Sequence, residues 1–424
     1  MMNRDLYDNY LNILKEELVP AMGCTEPIAI AYAGALVRKT LGNIPEHITV
    51  RCSGNIIKNV MGVTVPNSGG LKGIDVSATL GILGGDSDKK LEVLSTVTEE
   101  DIKKANELLE NNFCNCELIE NVDNLYIIIE AKYKNDNATV EIKYSHTNVT
   151  KITKNDEVIF SKDDSLLESD NKANRDLLTV KGILEFANIV DIEDVDFIIT
   201  RQIEMNTAIS EEGIKNEYGS SIGRTLLKYY GDSIHNKAKA MAAAGSDARM
   251  GGCSMPVVTN SGSGNQGITV SIPVIEYAKS MNIGKEKLYR ALVISNLTSI
   301  LQKRYIGKLS AFCGVVSASA GSAAGIAYLH DKDFDTIAKT IINTLCTIGG
   351  VVCDGAKESC ASKIAEALDC AILGFNMASD NKVFKDGDGL ASDNVEDTIA
   401  NIGRMAKDGM KSTDVEILKI MIGK

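Results

Sequence analysis

Three segments in the C-terminal part of the chain are unusually dense in Gly, Ala and Ser: AAAGSDARMGG, TNSGSGNQG and GVVSASAGSAAG. Small side chains allow backbones to approach each other, or a ligand, more closely than larger residues do. Helical patterns dominate after residue 175, so we expect a body of closely packed helices there. Trp is absent and aromatic residues make up only 5% of the chain. Ala, Gly, Val, Ile and Leu must therefore fill the core of this body.

The N-terminal region also predicts helices. Apolar residues recur at helical spacing over residues 6–14 and form a second run over residues 27–38. The segment MGCTEP between them has the chemistry of a helix start. Thr25 suits the N-cap position, and Glu26 and Pro27 suit the first turn.

From about residue 46 the hydrophobic period changes from helical to alternating. HITVRCS, LYIIIEAKY, ATVEIKYSH and VTKITKNDEVIF predict strands, with a hairpin around Asn135-Asp136-Asn137, and EEDIKKANELLENN predicts a helix between them. The polar stretch over 161–176 is typical of a linker. We therefore predict an α+β fold. A mainly helical body (1–45 plus 170–424) would carry an inserted α/β domain (46–169).

Charge and composition restrict the partners and the compartment. The net charge of −12 argues against binding a nucleic acid, because phosphate backbones select basic faces; a small molecule is the better expectation. The N-terminal stretch MMNRDLYDNYLNILKEEL is polar and amphipathic, which is unlike a signal peptide. Residues 309–329 carry no charge, but Ser, Gly and Ala dilute their hydrophobicity, so we expect a buried helix rather than a membrane span. These features favour a cytoplasmic protein.

The Ser/Asn-rich segment contains Gly262-Ser263-Gly264-Asn265-Gln266-Gly267, which formally matches GxGxxG. A dinucleotide site would require a second strand ending in an acidic residue about 20 positions later, whereas the following sequence predicts helix. The segment is better interpreted as a loop that leads into a helix N-terminus, where backbone N–H groups hold a carboxylate.

The four histidines do not occur in any spacing typical of a zinc site, so a zinc enzyme or a histidine-based triad is poorly supported. Ten cysteines in a reducing compartment are expected to be free thiols. Most of them suit core or surface positions: Cys52, Cys114, Cys116, Cys253, Cys346 and Cys370. The other four lie in richer contexts, although the C-x6-C spacing of Cys353 and Cys360 is not a standard ferredoxin pattern. Spacing alone leaves their role open.

Four segments read together resemble the L-cysteine desulfidases, which belong with the iron–sulfur L-serine dehydratases of the α-chain type: MGCTEP, TNSGSGNQG, FCGVVSASAGSAAG and GGVVCDGAKESC. The resemblance covers nearly the whole chain and is strongest over 20–32 and 240–365. In the serine dehydratases the corresponding stretches resemble GCQAEVGSASAMAA and GLVCDP…PC. The resemblance implies that Cys313, Cys353 and Cys360 hold a [4Fe-4S] cluster, with one iron left open for the substrate.

The α/β region (SGN…GGLKGIDVSATLGILGG) is similar to the allosteric-substrate-binding unit of the serine dehydratases. Two departures favour the desulfidase branch: no SSSHT motif is present, and the sequence ends in MIGK without a terminal cysteine. The implied reaction converts L-cysteine and water to pyruvate, hydrogen sulfide and ammonia without pyridoxal phosphate.

The resemblance and the predicted helix start both point to Cys24 as the base that takes the α-proton, because a helix N-terminus favours a thiolate. Glu26 is the alternative base or an orienting group. Lys357 lies between two implied ligands and is either a substrate ligand or a cation that stabilises the cluster. The predicted ligands of the substrate carboxylate and amine are Asn260, Ser261, Ser263, Asn265, Gln266, Arg249 and Lys357.

Other functions remain open at this level. The nearest is an iron–sulfur L-serine dehydratase, which shares the cluster and differs in the leaving group. A cluster protein that senses redox state or transfers sulfur, and a pyridoxal-phosphate lyase, are more distant alternatives. The Gly/Ala-rich helices and the size of the chain favour a homodimer.

Overall fold

The computed structural model describes residues 2–162, 173–307 and 310–423, and most of the predicted linker lies outside these ranges. The fold is α+β, as predicted, with a large helical body and a smaller α/β unit. The first part of the chain contains α1 (Arg4–Glu17), β1 (Pro20–Met22), α2 (Thr25–Leu41), β2 (His47–Ser53), α3 (Gly54–Val60), α4 (Ile74–Gly84), α5 (Glu99–Glu110), β3 (Cys114–Ile119), β4 (Tyr126–Tyr133), β5 (Asp136–Lys143), β6 (Val149–Lys154) and β7 (Glu157–Ser161).

The second part is almost entirely helical. Its elements are α6 (Val180–Ile189), α7 (Ile192–Lys215), α8 (Ile222–Tyr230), α9 (Ile234–Met250), β8 (Pro256–Val258), α10 (Gly264–Ser280), α11 (Lys285–Ile306), α12 (Gly314–Leu329), α13 (Phe334–Ile348), α14 (Cys360–Ser379), α15 (Val395–Arg404) and α16 (Lys411–Met421). Short 3₁₀ segments at Ser87–Thr96 and Arg175–Leu177 and a π turn at Met405–Gly409 connect some of these elements.

Helix α12 lies at the centre of the helical body and packs against α10, α11, α13 and α14. Its small residues allow this close contact: a Cβ atom added at Gly321 would lie 2.4 Å from the Ser295 carbonyl oxygen of α11. The expectation of a buried helix here is confirmed. Among the described residues, no helix is long and apolar enough to cross a membrane.

The α/β unit is built on a six-stranded sheet of order β3-β2-β4-β5-β6-β7. β2 and β3 are parallel, and the other neighbours are antiparallel. The predicted hairpin is present, but its tip is Lys134-Asn135, slightly earlier than predicted, because Lys134 adopts the left-handed conformation with φ of 53°. The predicted helix α5 starts with a capping box formed by Thr98 and Asp101.

Helix α2 packs with this sheet rather than with the helical body. Its apolar residues Ile28, Ile30 and Val37 share one core with α4 and the inner face of the sheet. The approach is close, because a Cβ atom at Gly81 of α4 would lie 2.1 Å from the Ala31 carbonyl oxygen. The division of the chain into two parts remains a proposal. Because α2 packs on the sheet, we propose that the α/β unit begins at about residue 24 and not at residue 46.

Strands β1 and β8 form a small antiparallel sheet, with Pro20 opposite Val258 and Met22 opposite Pro256. This pairing joins two segments that are more than 230 positions apart in the sequence. It brings the MGCTEP segment beside the Ser/Asn-rich loop that precedes α10.

Candidate active site

A cavity of about 680 Å³ lies between the helical body and the α/β unit. Helices α2, α10, α12 and α14 all begin at its wall, and their first turns supply part of its lining. Helix N-termini carry partial positive charge and unpaired N–H groups, so this arrangement favours anions. The lining residues at these four starts are 24–26, 263–266, 313–315 and Cys360.

Cys313 and Cys353 lie side by side because their segments form a short antiparallel bridge. The Cys313 N–H donates to the Val351 carbonyl oxygen at 2.9 Å, and the Cys353 N–H donates to the Ala311 carbonyl oxygen at 2.6 Å. A hydrogen bond from the Cys313 thiol lowers the pKa of Cys353 to about 6 against the opposing effect of burial. Cys353 is therefore the readiest of these thiols to become a thiolate ligand.

Cys360, the first residue of α14, completes the group of predicted cluster ligands. Its thiol donates to the Gly355 carbonyl oxygen at 3.7 Å, and burial raises its pKa. Lysines surround the thiols. Lys58 and Lys303 line the same cavity, and burial lowers the pKa of the Lys303 ammonium to about 8.

These residues fit an iron–sulfur cluster. Cys313, Cys353 and Cys360 border one cavity, two of them stand at helix starts, and cationic side chains offset the negative charge of the thiolates. Within the described ranges, no three His, Cys, Asp or Glu side chains converge closely enough to hold a single metal ion.

Cys24 is the N-cap residue of α2, a position that we expected Thr25 to occupy. Its thiol is buried and donates to Glu26 Oε2 at 3.0 Å. Burial and the Glu26 charge raise the pKa of Cys24 well above its usual value, although the Arg249 charge acts in the opposite direction. Burial and the Glu26 charge therefore oppose the thiolate that the helix N-terminus favours.

The Glu26 carboxylate is the centre of a buried hydrogen-bond network. Oε1 accepts from Asn59 Nδ2 at 3.0 Å and lies 3.7 Å from His146 Nε2, while Oε2 accepts from the Cys24 thiol. Burial opposes ionisation of Glu26. The contacts to His146 and Cys24 outweigh it and lower the pKa of the carboxyl group to about 2.

Arg249 is buried between the MGCTEP segment and the start of α10. Its Nη1 donates to Asn265 Oδ1 at 2.5 Å, and its Nη2 donates to the Gly23 carbonyl oxygen. Gly264 makes room for the guanidinium, because a Cβ atom there would lie 2.4 Å from Arg249 Cζ. Gly314 makes room for Gln266 in the same way, at 2.5 Å from its amide carbon, which brings Gln266 next to Cys313.

Among the described residues, four buried polar atoms of cavity-lining side chains have no hydrogen-bond partner: Asn55 Oδ1, His146 Nε2, Arg249 Nε and Gln266 Oε1. Buried polar groups are almost always paired in native proteins. Their concentration around one cavity indicates that a polar ligand satisfies them.

The predicted substrate ligands divide into two groups. Arg249, Ser261, Ser263, Asn265 and Gln266 line the cavity. The Ser263 hydroxyl also caps α10 by accepting from the Gln266 N–H at 3.4 Å.

Asn260 and Lys357 do not line the cavity. Asn260 is fully buried behind the loop, where its Nδ2 donates to Asn296 Oδ1 at 3.0 Å. Lys357 extends to the Lys58 carbonyl oxygen at 3.4 Å and covers Gly62. Direct contact of these two residues with a substrate is not supported, because their polar groups are directed to the protein backbone and to Asn296.

Several residues that line the cavity were not predicted from the sequence: Asn55, Lys58, Asn59, His146 and Lys303. His146 is a histidine that the sequence did not single out, since the spacing of the four histidines argues only against a zinc site or a triad. It lies in the connection between β5 and β6, and only the pairing of the sheet brings it to the cavity. No local motif signals such a residue.

Comparisons with known proteins agree with the geometry. The sequence pattern of a family described as serine dehydratase alpha chain matches residues 88–419. A UPF0597 protein of Finegoldia magna is 51% identical over 417 residues, covering 98% of this chain and 100% of the relative. A UPF0597 protein of Lachnoclostridium phytofermentans is 50% identical with the same coverage. A third, of Treponema denticola, is 48% identical over 427 residues and covers 99% of both chains.

Proposed function

The chain belongs to the serine dehydratase alpha chain family, and from this premise we propose that it is a lyase acting on L-cysteine. The reaction converts L-cysteine and water to pyruvate, hydrogen sulfide and ammonia. The family is associated with iron–sulfur serine dehydratases. One observation carries the proposal: Cys24 and Glu26 share one cavity with Cys313, Cys353 and Cys360. This combination supplies both a proton acceptor and a set of soft metal ligands.

In this proposal Cys313, Cys353 and Cys360 hold a [4Fe-4S] cluster. The cluster would supply a Lewis-acidic iron for the substrate sulfur, which a soft thiolate suits better than a hydroxyl does. The hydrogen bond to Cys353 raises the pKa of Cys313, and burial raises the pKa of Cys360, so ionisation of these thiols needs positive potential around them. Lys58 and Lys303 and the starts of α12 and α14 provide the positive potential for this.

The substrate carboxylate is assigned to Arg249 and the start of α10. A buried guanidinium forms strong, charge-assisted hydrogen bonds with carboxylates, and Arg249 Nε has no other partner. The unpaired Gln266 Oε1 is an acceptor suited to the substrate ammonium. Asn260 supports this loop from behind through Asn296.

Cys24 is assigned as the group that takes the α-proton. To act as a base it must first lose its own proton to the solvent; Glu26 Oε2 accepts a hydrogen bond from the thiol at 3.0 Å and orients it. Arg249 favours the resulting thiolate by its charge. Glu26 is the alternative base or an orienting group; its carboxylate lies in the same cavity, and a pKa of about 2 makes it a weak base, which favours the orienting role.

The family match favours a second candidate, an L-serine dehydratase that uses the same site. Anaerobically purified protein should be given L-cysteine and L-serine in parallel, with sulfide and pyruvate measured. The proposal expects equal amounts of sulfide and pyruvate from cysteine and a kcat/KM at least about tenfold lower for serine, which corresponds to roughly 1.4 kcal/mol in the barrier. A higher kcat/KM for serine would establish the second candidate instead.

A further inference from the structure

His146 reaches the cavity from the α/β unit and lies over the Ser/Asn-rich loop. The backbone around it is held by hydrogen bonds, from the Asn148 N–H to the Ser145 carbonyl oxygen at 3.0 Å and from the Tyr144 N–H to the Leu125 carbonyl oxygen at 3.1 Å. A Cβ atom added at Gly262 would lie 3.5 Å from His146 Cε1, so the imidazole lies near this loop. The ring therefore lies between a hydrogen-bonded turn of the α/β unit and the Ser/Asn-rich loop.

The polar edge of the ring faces Glu26. His146 Nε2 lies 3.7 Å from Glu26 Oε1, the His146 side chain is only 15% exposed, and within the described part of the chain Nε2 has no closer hydrogen-bond partner. A shift of less than 1 Å would produce an ordinary hydrogen bond. Catalytic hydrogen bonds are often long without substrate and shorten when it binds.

Glu26 transmits this contact to Cys24. The two carboxylate oxygens divide their partners, with Asn59 and His146 at Oε1 and with Cys24 and Thr25 at Oε2. A carboxylate held at one oxygen presents the other in a defined direction. Asn59 and His146 both come from the α/β unit, so this unit determines how Glu26 faces the thiol.

We propose that His146 is a positioning residue, which holds the Glu26 carboxylate and through it Cys24 in the reactive arrangement. The α/β unit is then a part of the active site and not only a regulatory domain. The inference rests on the proposed function, since Cys24 and Glu26 have their roles in that reaction.

A double-mutant cycle tests the proposal. His146→Ala should lower kcat roughly tenfold to a hundredfold, the usual cost of removing a group that orients an active-site residue, while KM changes less than about twofold. His146→Gln should recover to within about threefold of wild type, because an amide of similar reach donates to Glu26. His47→Gln, an exposed histidine on β2 of the same unit, is the matched control.

The cycle with Glu26→Gln separates positioning from other roles. If His146 acts through Glu26, the double variant His146→Ala/Glu26→Gln should lose no more activity than Glu26→Gln alone. Additive losses, a change in KM alone, or no recovery in His146→Gln would each overturn the proposal. A change in KM alone would assign His146 to direct substrate binding.

A spectroscopic measurement distinguishes failure of this inference from failure of the proposed function. The chain has four histidines, so imidazole NMR signals of the cluster-loaded protein are few, and His146→Gln identifies one of them. Glu26→Gln should shift this signal and leave the other three in place. Absence of the shift in a protein that releases sulfide rejects the inference alone. The shift in a protein without lyase activity rejects the proposed function and retains the contact.

Discussion

The two walls of the cavity are built in different ways. The helical body supplies the thiol wall, Cys313, Cys353 and Cys360, from short segments at or next to helix starts. The α/β unit supplies the second wall from α3, which packs beside the Cys353–Cys360 segment, and from the β5–β6 connection: Asn55, Lys58, Asn59, Ser145, His146 and Thr147. Cys24 stands where the walls meet, at the start of a helix whose core lies in the α/β unit.

This difference separates two tasks. The thiol wall combines soft ligands with positive potential, which is the chemistry of holding an anionic metal centre. The α/β wall contains amides, an imidazole and an ammonium, which orient a carboxylate and a small polar ligand. We therefore expect substitutions in the first wall to remove the cofactor and substitutions in the second to change rates.

The largest effect is expected in the thiol wall. Cys360→Ala should abolish the visible absorbance of the cluster, most of the bound iron and the lyase activity together, because two remaining thiolates hold a cluster poorly. Cys370→Ala on the same helix α14 is the matched control, since Cys370 does not line the cavity. Iron analysis and absorption spectra of anaerobically purified variants provide the measurement. Retention of iron and activity in Cys360→Ala would break the assignment of this wall.

Cys24→Ala should cause the next largest loss of lyase activity, and it tests whether the residue between the two walls belongs to the thiol ligands or acts as the base. Removal of a proton acceptor costs roughly 100- to 10 000-fold in rate, while the cluster absorbance should remain. Activity and iron content should be measured on the same preparation. Loss of iron in this variant would move Cys24 from the base to the ligands and would extend the thiol wall by one residue.

The difference between a wall made of local helix-start segments and a wall made by sheet pairing also explains which features the sequence could predict. The α+β class, the strands, α5 and the buried α12 follow from hydrophobic periodicity and small residues, which are local signals. MGCTEP and the cysteine segments are local as well, and all of these thiols border the cavity. The start of the α/β unit stays a prediction, because the apolar run of α2 does not indicate which core it enters, and in the structure it packs with the sheet.

The α/β wall could not be predicted in the same way. His146 and Asn59 gain their position from sheet pairing and from the packing of α3, which no spacing along the chain reveals. Asn260 shows the converse error. It belongs to a polar loop that lines the site, yet its own side chain points to Asn296 and supports the loop. Composition identifies such a loop, but only the backbone conformation decides which side chains face the ligand.

A smaller effect is expected from the glycine that makes room for Arg249. Gly264→Ala places a Cβ atom 2.4 Å from Arg249 Cζ and 2.6 Å from Val257 Cγ2, so the guanidinium must move. We expect KM for L-cysteine to rise roughly tenfold, about 1.4 kcal/mol of binding, with the cluster intact. Gly284→Ala, at the start of α11, is the control, because among the described residues the added Cβ atom meets no neighbouring atom within 4 Å. An unchanged KM would remove Arg249 from the substrate site.

The smallest effect concerns the scaffold behind Arg249, away from both walls. Burial raises the pKa of Asp247 in α9 to about 7, although its Oδ2 accepts from the Gly223 N–H at 3.0 Å. The folded state therefore keeps a proton that the unfolded chain releases near pH 4, so stability falls as the pH rises from about 4 to about 7. Asp247→Asn should remove this loss and raise the free energy of unfolding at pH 8 by about 1–2 kcal/mol, with little gain at pH 4.

Thermal unfolding of the cluster-loaded protein at both pH values measures this effect. Asp232→Asn, at an exposed aspartate before α9, is the control and should keep the same fall in stability with pH as the wild type. Because Asp247 contacts the start of α8 and neither wall, KM for L-cysteine should remain unchanged in Asp247→Asn. A changed KM with unchanged stability would mean that α9 transmits strain from Asp247 to Arg249. The scaffold would then belong to the substrate site together with the two walls.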